Sequence, residues 1–253
     1  SRNITTTTSI FADEIRRLNK NVFILPNAIN PDEKQFQNNS KPSDRIRIGW
    51  LGGSSHIKDL EILNGVVNNI KNAGLLDKVQ FVLCGYDLRG NMTMIDKKTG
   101  EQKEYDDVEN EPYRRVWTQP ITSYASNYNL FDISLAPLKE SDFNKVKSQL
   151  KVIESGFHKK ALIAQDFGPY QIDIKNVYQK GGELDSSTNK NNKFWFKHLK
   201  KLIENPQLIK DMGENLYNTV NGTYDMKSVC AKRKALYIKL IEEKKELVVE
   251  NVI

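Results

Sequence analysis

Apolar positions along this chain fall into two patterns, short continuous runs and stripes at helical spacing. RIRIGWL, KVQFVLCG, RRVW, DISLAPL and ALIA are compact runs, each predicting a buried strand. Leu60, Leu63 and Val67 recur at helical spacing, as do Val146, Leu150, Ile153 and Phe157, and each set predicts a helix with one apolar stripe. Strand and helix alternate, which is the order of an α/β fold with a doubly wound parallel sheet. The turns at Gly52, Trp117, Ala136 and Phe167 all fall at strand carboxyl ends, where such sheets bind ligands.

The flanking segments extend this pattern. Ile4 to Thr8 is β-branched and predicts a strand, Ser9 is a suitable N-cap for a helix carrying Phe11, Ile15 and Leu18, and VFIL predicts a second strand stopped by Pro26–Asn27. Gln37 to Asp44 is rich in Asn, Ser, Lys and Pro and predicts a flexible connector. YDLRGNMTMIDKKTGEQKEYDDVENE is long and polar, with a turn at Lys98–Thr99–Gly100, and reads as an inserted hairpin or loop. A turn at TQPI leads into a helix running to about Leu130. Gly156 and the following HKK read as a helix C-terminus with cations in its last turn. DIKNVYQKGGELD predicts an edge strand and turn, and the next segment two short helices broken at Asn205–Pro206. Asp225 to Val249 predicts a long amphipathic helix with Val229, Leu236, Leu240 and Leu247 on one face.

Composition narrows the function classes. The 253 residues suffice for one large domain or a domain plus pieces, and no apolar run approaches a membrane span or a signal peptide. The net charge of +6 raises the question of nucleic acid, but the lysines are scattered among acids and no basic stripe alternates with aromatics. The excess suits a phosphate-bearing substrate or an anionic membrane surface. Cys84 and Cys230 lack metal-ligand spacing, and Cys84 within FVLCG reads as a small buried strand residue. Asp106, Asp107, Glu109 and Glu111 are consecutive acids without histidine or a loop pattern, so they read as a solvated face and no metal is expected.

Candidate chemistry concentrates in two places. Gly52–Gly53–Ser54–Ser55 follows the RIRIGWL strand, where glycines let the backbone approach a ligand and present N–H groups to phosphate. The turn is neither GxGxxG nor a P-loop, and His56 beside it is either a ligand contact or a solvated turn residue. The second place is FNKVKSQLKVIESGFHKKALIAQDFGPY, a helix followed by a short strand and a turn. Lys147, Ser148, Lys151 and Glu154 lie on its polar side. Lysine and serine at a helix start suit an anion, and a carboxylate two turns on suits the paired hydroxyls of a ribose.

The segment LAPLKESDFNKVKSQLKVIESGFHKKALIAQDFGPY resembles the nucleotide-sugar-binding segment of retaining glycosyltransferases of the group-1 (family 4) class, which have the GT-B fold. In that class two glutamates stand eight positions apart. Glu154 matches the second, and Val146 stands at the first. LPNAINPDEKQF is similar to the family's link between two Rossmann-like domains. "G.SSH.KDL" corresponds to its phosphate turn, with Lys58 at the lysine position and Gly53 where the family carries arginine.

The resemblance implies a Rossmann-like, doubly wound α/β fold, the C-terminal half of a GT-B enzyme. It implies residues 1–36 as the end of an acceptor-side domain plus linker, 37–224 as the donor-binding domain, and 225–253 as a terminal helix packing back on the other domain. Catalytic roles fall to Lys58 and Lys147 on the leaving diphosphate and Glu154 on the ribose. Donor contacts fall to Gly52, Gly53, Ser54, His56, Asn144, Ser148 and Leu150, with Trp117, Gln119 and Ile121 at the base. The implied reaction is metal-free hexosyl transfer, with retention, from a nucleotide-diphosphate sugar to a saccharide, lipid-linked or protein acceptor. Polysaccharide or glycoconjugate biosynthesis in the cytoplasm, at the inner face of the membrane, suits it. The chain begins with Ser and reads as a piece that binds donor without turning over alone. A non-catalytic nucleotide-binding or scaffold module of the same fold is the alternative, favoured by Val146 and Gly53.

Overall fold

The structure, a computed structural model, describes residues 2–85, 93–95, 99, 102–104, 112–117, 119–174, 182–185 and 193–250. Its strands are β1 (Ile4–Thr6), β2 (Val22–Ile24), β3 (Ile46–Leu51), β4 (Val79–Cys84), β5 (Thr93–Ile95), β6 (Gln102–Glu104), β7 (Tyr113–Val116), β8 (Ile133–Ala136), β9 (Ala161–Gln165) and β10 (Gly182–Asp185). Its helices are α1 (Ser9–Arg16), α2 (Ile57–Leu60), α3 (Val66–Asn72), α4 (Asp142–Lys145), α5 (Leu150–Phe157), α6 (Gln171–Ile174), α7 (Lys193–Glu204), α8 (Pro206–Val220) and α9 (Met226–Glu250).

Six strands form one sheet in the order β10-β9-β8-β3-β4-β7, every neighbouring pair parallel. Side chains alternate across it. Ile48, Ile133 and Ile163 join one layer with Ile70 of α3 and Trp195, Leu199 and Leu202 of α7. Leu162 and Ala164 point the other way, to Val152 of α5 and Leu216 of α8. Both faces are thus covered, which is why the strands read as continuous apolar runs rather than alternations. The doubly wound parallel sheet expected from the pattern is present.

Two glycines decide how α8 lies against α5. A Cβ at Gly156 would come 2.6 Å from Val220 Cγ2, and one at Gly213 would come 2.1 Å from the Lys159 carbonyl oxygen. Gly156 therefore sits in the last turn of α5 as a close-contact residue, and the helix stops one residue later, where a C-terminus is expected. His158 is the C-cap, and Lys159 takes the left-handed conformation at φ 54°. His158 is buried, its ring nitrogens each 2.8 Å from the carbonyl oxygens of Glu154 and Gln35, rather than a solvated cation.

Other departures have local causes. The Leu60–Val67 stripe is broken by Gly65 at φ 85°, so a short 3-10 turn separates α2 from α3. Tyr124–Leu130 is a 3-10 helix rather than an α-helix. Thr8, not Ser9, caps α1, its hydroxyl accepting from the Phe11 N–H at 3.2 Å. Leu18 lies beyond α1 and is 93% exposed. The connector at Gln37–Asp44 is anchored: the Asn39 N–H donates to Asn129 Oδ1 at 2.8 Å, and Lys160 reaches Asn38 and Ser40 from beneath. The acids Asp106, Asp107, Glu109 and Glu111 lie outside the described residues, although the antiparallel pair β5–β6 stands within that insertion.

The first 36 residues carry β1 and β2 as a separate parallel pair, joined to the main body at Ile29, which bridges Asp225. In α9, Val229 is buried whereas Tyr237, Ile238 and Ile241 are exposed. Among the described residues, no helix is long and apolar enough to cross a membrane.

Candidate functional site

The sheet's topology opens a crevice. The chain runs from β3 outward to β4 and β7, then returns to the other side of β3 for β8, β9 and β10. Loops leaving β3 and β8 therefore diverge, and ligands of such sheets sit between them at the carboxyl ends. A cleft of about 560 Å³ occupies that position. Gly52, Gly53 and His56 after β3, Gly85 after β4, and Gln119, Ile121 and Tyr124 after β7 form one side. Lys147, Ser148, Leu150, Lys151 and Glu154 after β8, with Tyr170 after β9, form the other.

Glu154 is only 5% exposed, yet it lines the cleft. Its two oxygens are fixed by tyrosines: Tyr124 donates to Oε1 and Tyr128 donates to Oε2 at 3.0 Å. Burial and the Glu154 charge raise both phenols well above their ordinary range, so both stay protonated donors. A carboxylate has about four lone-pair positions, so this arrangement leaves room for two further donors from a ligand.

One turn before Glu154, Lys151 donates to the Leu51 carbonyl at the end of β3, with its ammonium 5.8 Å from the Trp50 ring centroid. Burial lowers its pKa below the usual lysine range. Glu154 and Asp59 oppose that shift, while Lys147 adds to it. Lys147 and Ser148 lie in the break between α4 and α5, just ahead of the helix start rather than within it. Across the cleft, a Cβ at Gly52 would come 2.5 Å from Trp50 Cζ2, so only glycine fits there without displacing the indole. A Cβ at Gly53 would meet nothing within 4 Å, so this residue leaves open room in the wall.

Beside the main cleft lies another, of about 520 Å³, which shares His56 and Lys147 and adds Lys58, Lys139 and Asn144. Its framework is the buried carboxylate of Asp59. Oδ2 is 2.7 Å from His56 Nδ1, and Oδ1 accepts from the Lys139 N–H at 2.7 Å and from Asn144 Nδ2 at 3.3 Å. Burial acts to raise the Asp59 pKa, but the bonds from His56 and Lys139 outweigh it and hold the group below the usual carboxylate range. Asp59 thereby ties the turn after β3 to the loop after β8.

The sequence-derived residues thus divide. Gly52, Gly53, His56, Gln119, Ile121, Lys147, Ser148, Leu150 and Glu154 come together in the main cleft. Lys58 and Asn144 line the adjoining cleft instead, and Asn144 is buried with its amide already donated to Asp59 and to the Lys139 carbonyl. Ser54 and Trp117 are exposed and line neither cleft. Tyr124, Tyr128, Tyr170 and Asp59 were not singled out from sequence, and Lys151 was placed on the polar side of the segment without a ligand contact of its own. Lys151 had a signal, one turn from Lys147 on the same polar side. The others act through contacts with distant residues and carry no local pattern. Among the described residues there is no cluster of His, Cys, Asp and Glu suited to a metal ion.

No protein-family model and no curated protein sequence matches this chain. Solved structures do match. Sucrose-phosphate synthase from Thermosynechococcus elongatus superposes with a TM-score of 0.66 at 15% identity, over 94% of this chain and 58% of that one. Alpha,alpha-trehalose 6-phosphate synthase from Burkholderia multivorans gives 0.65 at 13% identity, over 98% and 60%. Anabaena HepE, solved in complex with UDP and glucose, gives 0.63 at 12%, over 92% and 62%. The chain accordingly shares the α/β fold, a Rossmann-like doubly wound parallel sheet, of these GT-B structures. The chain spans about three-fifths of the length of these neighbours.

Proposed function

We propose that this chain is the donor-binding half of a glycosyltransferase that moves a sugar from a nucleotide-diphosphate donor to an acceptor hydroxyl with retained configuration. The observation that carries the reading is convergence. Loops far apart in sequence meet in one cleft at the strand carboxyl ends, with Glu154 on one wall and the Gly52–Gly53 turn opposite. HepE, of the same fold, was solved with UDP and glucose. In this reading Glu154 accepts from the ribose hydroxyls, and Gln119 and Ile121 line the base. Lys147, Ser148 and the backbone of the Gly52–Gly53 turn face the diphosphate. Cations and N–H dipoles in those positions stabilise negative charge developing on the leaving diphosphate, and no metal is required for that role. Acceptor-side groups are supplied by a further domain.

A non-catalytic nucleotide-binding module is the second reading. Val146 and Gly53, standing where the resembling family carries glutamate and arginine, favour it.

A thermal-shift screen with UDP, GDP, ADP, CMP and dTDP, with and without EDTA, tests the binding that both readings share. A ligand at about a hundred times its dissociation constant stabilises by nearly 3 kcal/mol, a shift of several degrees. One nucleotide standing out, insensitive to EDTA, is the expected result. Sugar transfer by the full-length protein, with the product anomer assigned by NMR, then separates enzyme from module and retention from inversion.

A further inference from the structure

The adjoining cleft differs in charge from the one that Glu154 lines. Lys58 enters it from α2, after β3, while Lys139 and Lys147 enter from the loop after β8. The carboxylate among its lining residues, Asp59, is 3% exposed, and its oxygens are occupied by His56, the Lys139 N–H and Asn144. Lys58 and Lys139 make no ion pair among the described residues, so cations set the sign of this cleft.

A nucleotide whose ribose meets Glu154 reaches Lys147 and Ser148 with its phosphates at the start of α5. Lys58 and Lys139 lie beyond that point, past the shared His56 and Lys147. They exceed what one diphosphate needs in the main cleft, where Lys151 already stands beside Lys147.

We propose that the adjoining cleft receives a second anionic group, a carboxylate or phosphate ester carried by the transferred sugar or by the acceptor. Lysine suits either group, as a compact charge with three rotatable donors. The proposal rests on the donor reading above and assigns a chemical class to the substrate at the far end of that donor.

Calorimetric titration of the chain with UDP comes first and reports on the donor reading alone. UDP-glucuronate is then compared with UDP-glucose, and glucose 6-phosphate is titrated with and without saturating UDP, on the wild type and on Lys139→Gln. That substitution keeps the backbone N–H bond to Asp59, so the loop stays anchored. A preference for UDP-glucuronate that falls about tenfold in Lys139→Gln, at unchanged UDP affinity, assigns the anion to the transferred sugar. Glucose 6-phosphate binding that weakens likewise assigns it to the acceptor. If UDP binds but neither preference exists, or if anion binding ignores Lys139→Gln, the proposal is overturned and the donor reading stands. If UDP fails while glucose 6-phosphate still binds through Lys139, the uridine donor is refuted and the basic cleft is kept. If nothing binds, both are overturned.

Discussion

Tyr128, buried behind the cleft, donates its hydroxyl across 3.0 Å to Oε2 of Glu154, which lines the cleft at the sheet's switch point. Tyr124 holds the other oxygen from the cleft side. The carboxylate is thereby aimed before any ligand arrives, which lowers the ordering cost of binding. Tyr128→Phe leaves a buried carboxylate oxygen short of its donor, so a stability loss of about 1–3 kcal/mol is expected in urea unfolding. Tyr124→Phe, at a half-buried position, costs less stability and chiefly alters nucleotide affinity. A Tyr128→Phe protein as stable as the wild type would show that the bond positions nothing.

The α5–α8 contact makes a second prediction. At Gly213 the obstacle is the Lys159 carbonyl, which is backbone, whereas at Gly156 the nearest atoms belong to the Val220 side chain. Gly213→Ala is therefore expected to destabilise more than Gly156→Ala, by about 3 kcal/mol or more against roughly 1–3 kcal/mol. Thermal unfolding of the two variants, compared directly, checks the order. Equal losses would mean that α8 shifts as a body.

Lys160 carries the pH dependence. Burial pushes its pKa down from the ordinary 10.5 to about 8, with Asp132 opposing that and Arg47 reinforcing it. At pH 7 the ammonium is charged in both states, and its burial costs stability. Between pH 8 and 10.5 the unfolded chain holds the proton more tightly than the folded one, so this group adds stability as pH rises. Lys160→Met should therefore be more stable than the wild type by about 1 kcal/mol at pH 7, with the gain shrinking above pH 8. Chemical denaturation at pH 7 and pH 9.5 measures it. A gain that stays constant with pH would contradict the assignment.

Asp59 joins two loops through one side chain, so Asp59→Ala strands the Lys139 N–H and removes one of the two acceptors of the buried Asn144 amide. A loss of about 2–3 kcal/mol is expected, together with faster amide exchange at Lys139 than in the wild type. Unchanged exchange at Lys139 would show that the loop is held by other contacts.

The parallel sheet was legible because its central strands β3, β4, β8 and β9 are buried and so appear as nearly unbroken apolar runs. The cleft was legible where function and local pattern coincide: glycines after β3, and a lysine, a serine and a carboxylate spaced along one helix approach. What could not be read locally were partners brought from a distance. Tyr128 meets Glu154 across 26 positions, and Asp59 meets Asn144 across 85. Gly156 looks like a stop signal, and α5 does end one residue after it, but its close contact with Val220 on another helix has no local signal. Leu18 was placed on the α1 stripe but lies past the helix end, where it is exposed.

The central claim is that the Glu154 cleft binds a nucleoside diphosphate, and calorimetric titration of the wild type and Glu154→Ala with UDP tests it most directly. Saturable binding by the wild type, unaffected by EDTA and weakened at least about tenfold in Glu154→Ala, is the predicted result. Binding that is equally tight in a folded Glu154→Ala protein would contradict it, because the nucleotide would then sit away from the carboxylate around which the site is built.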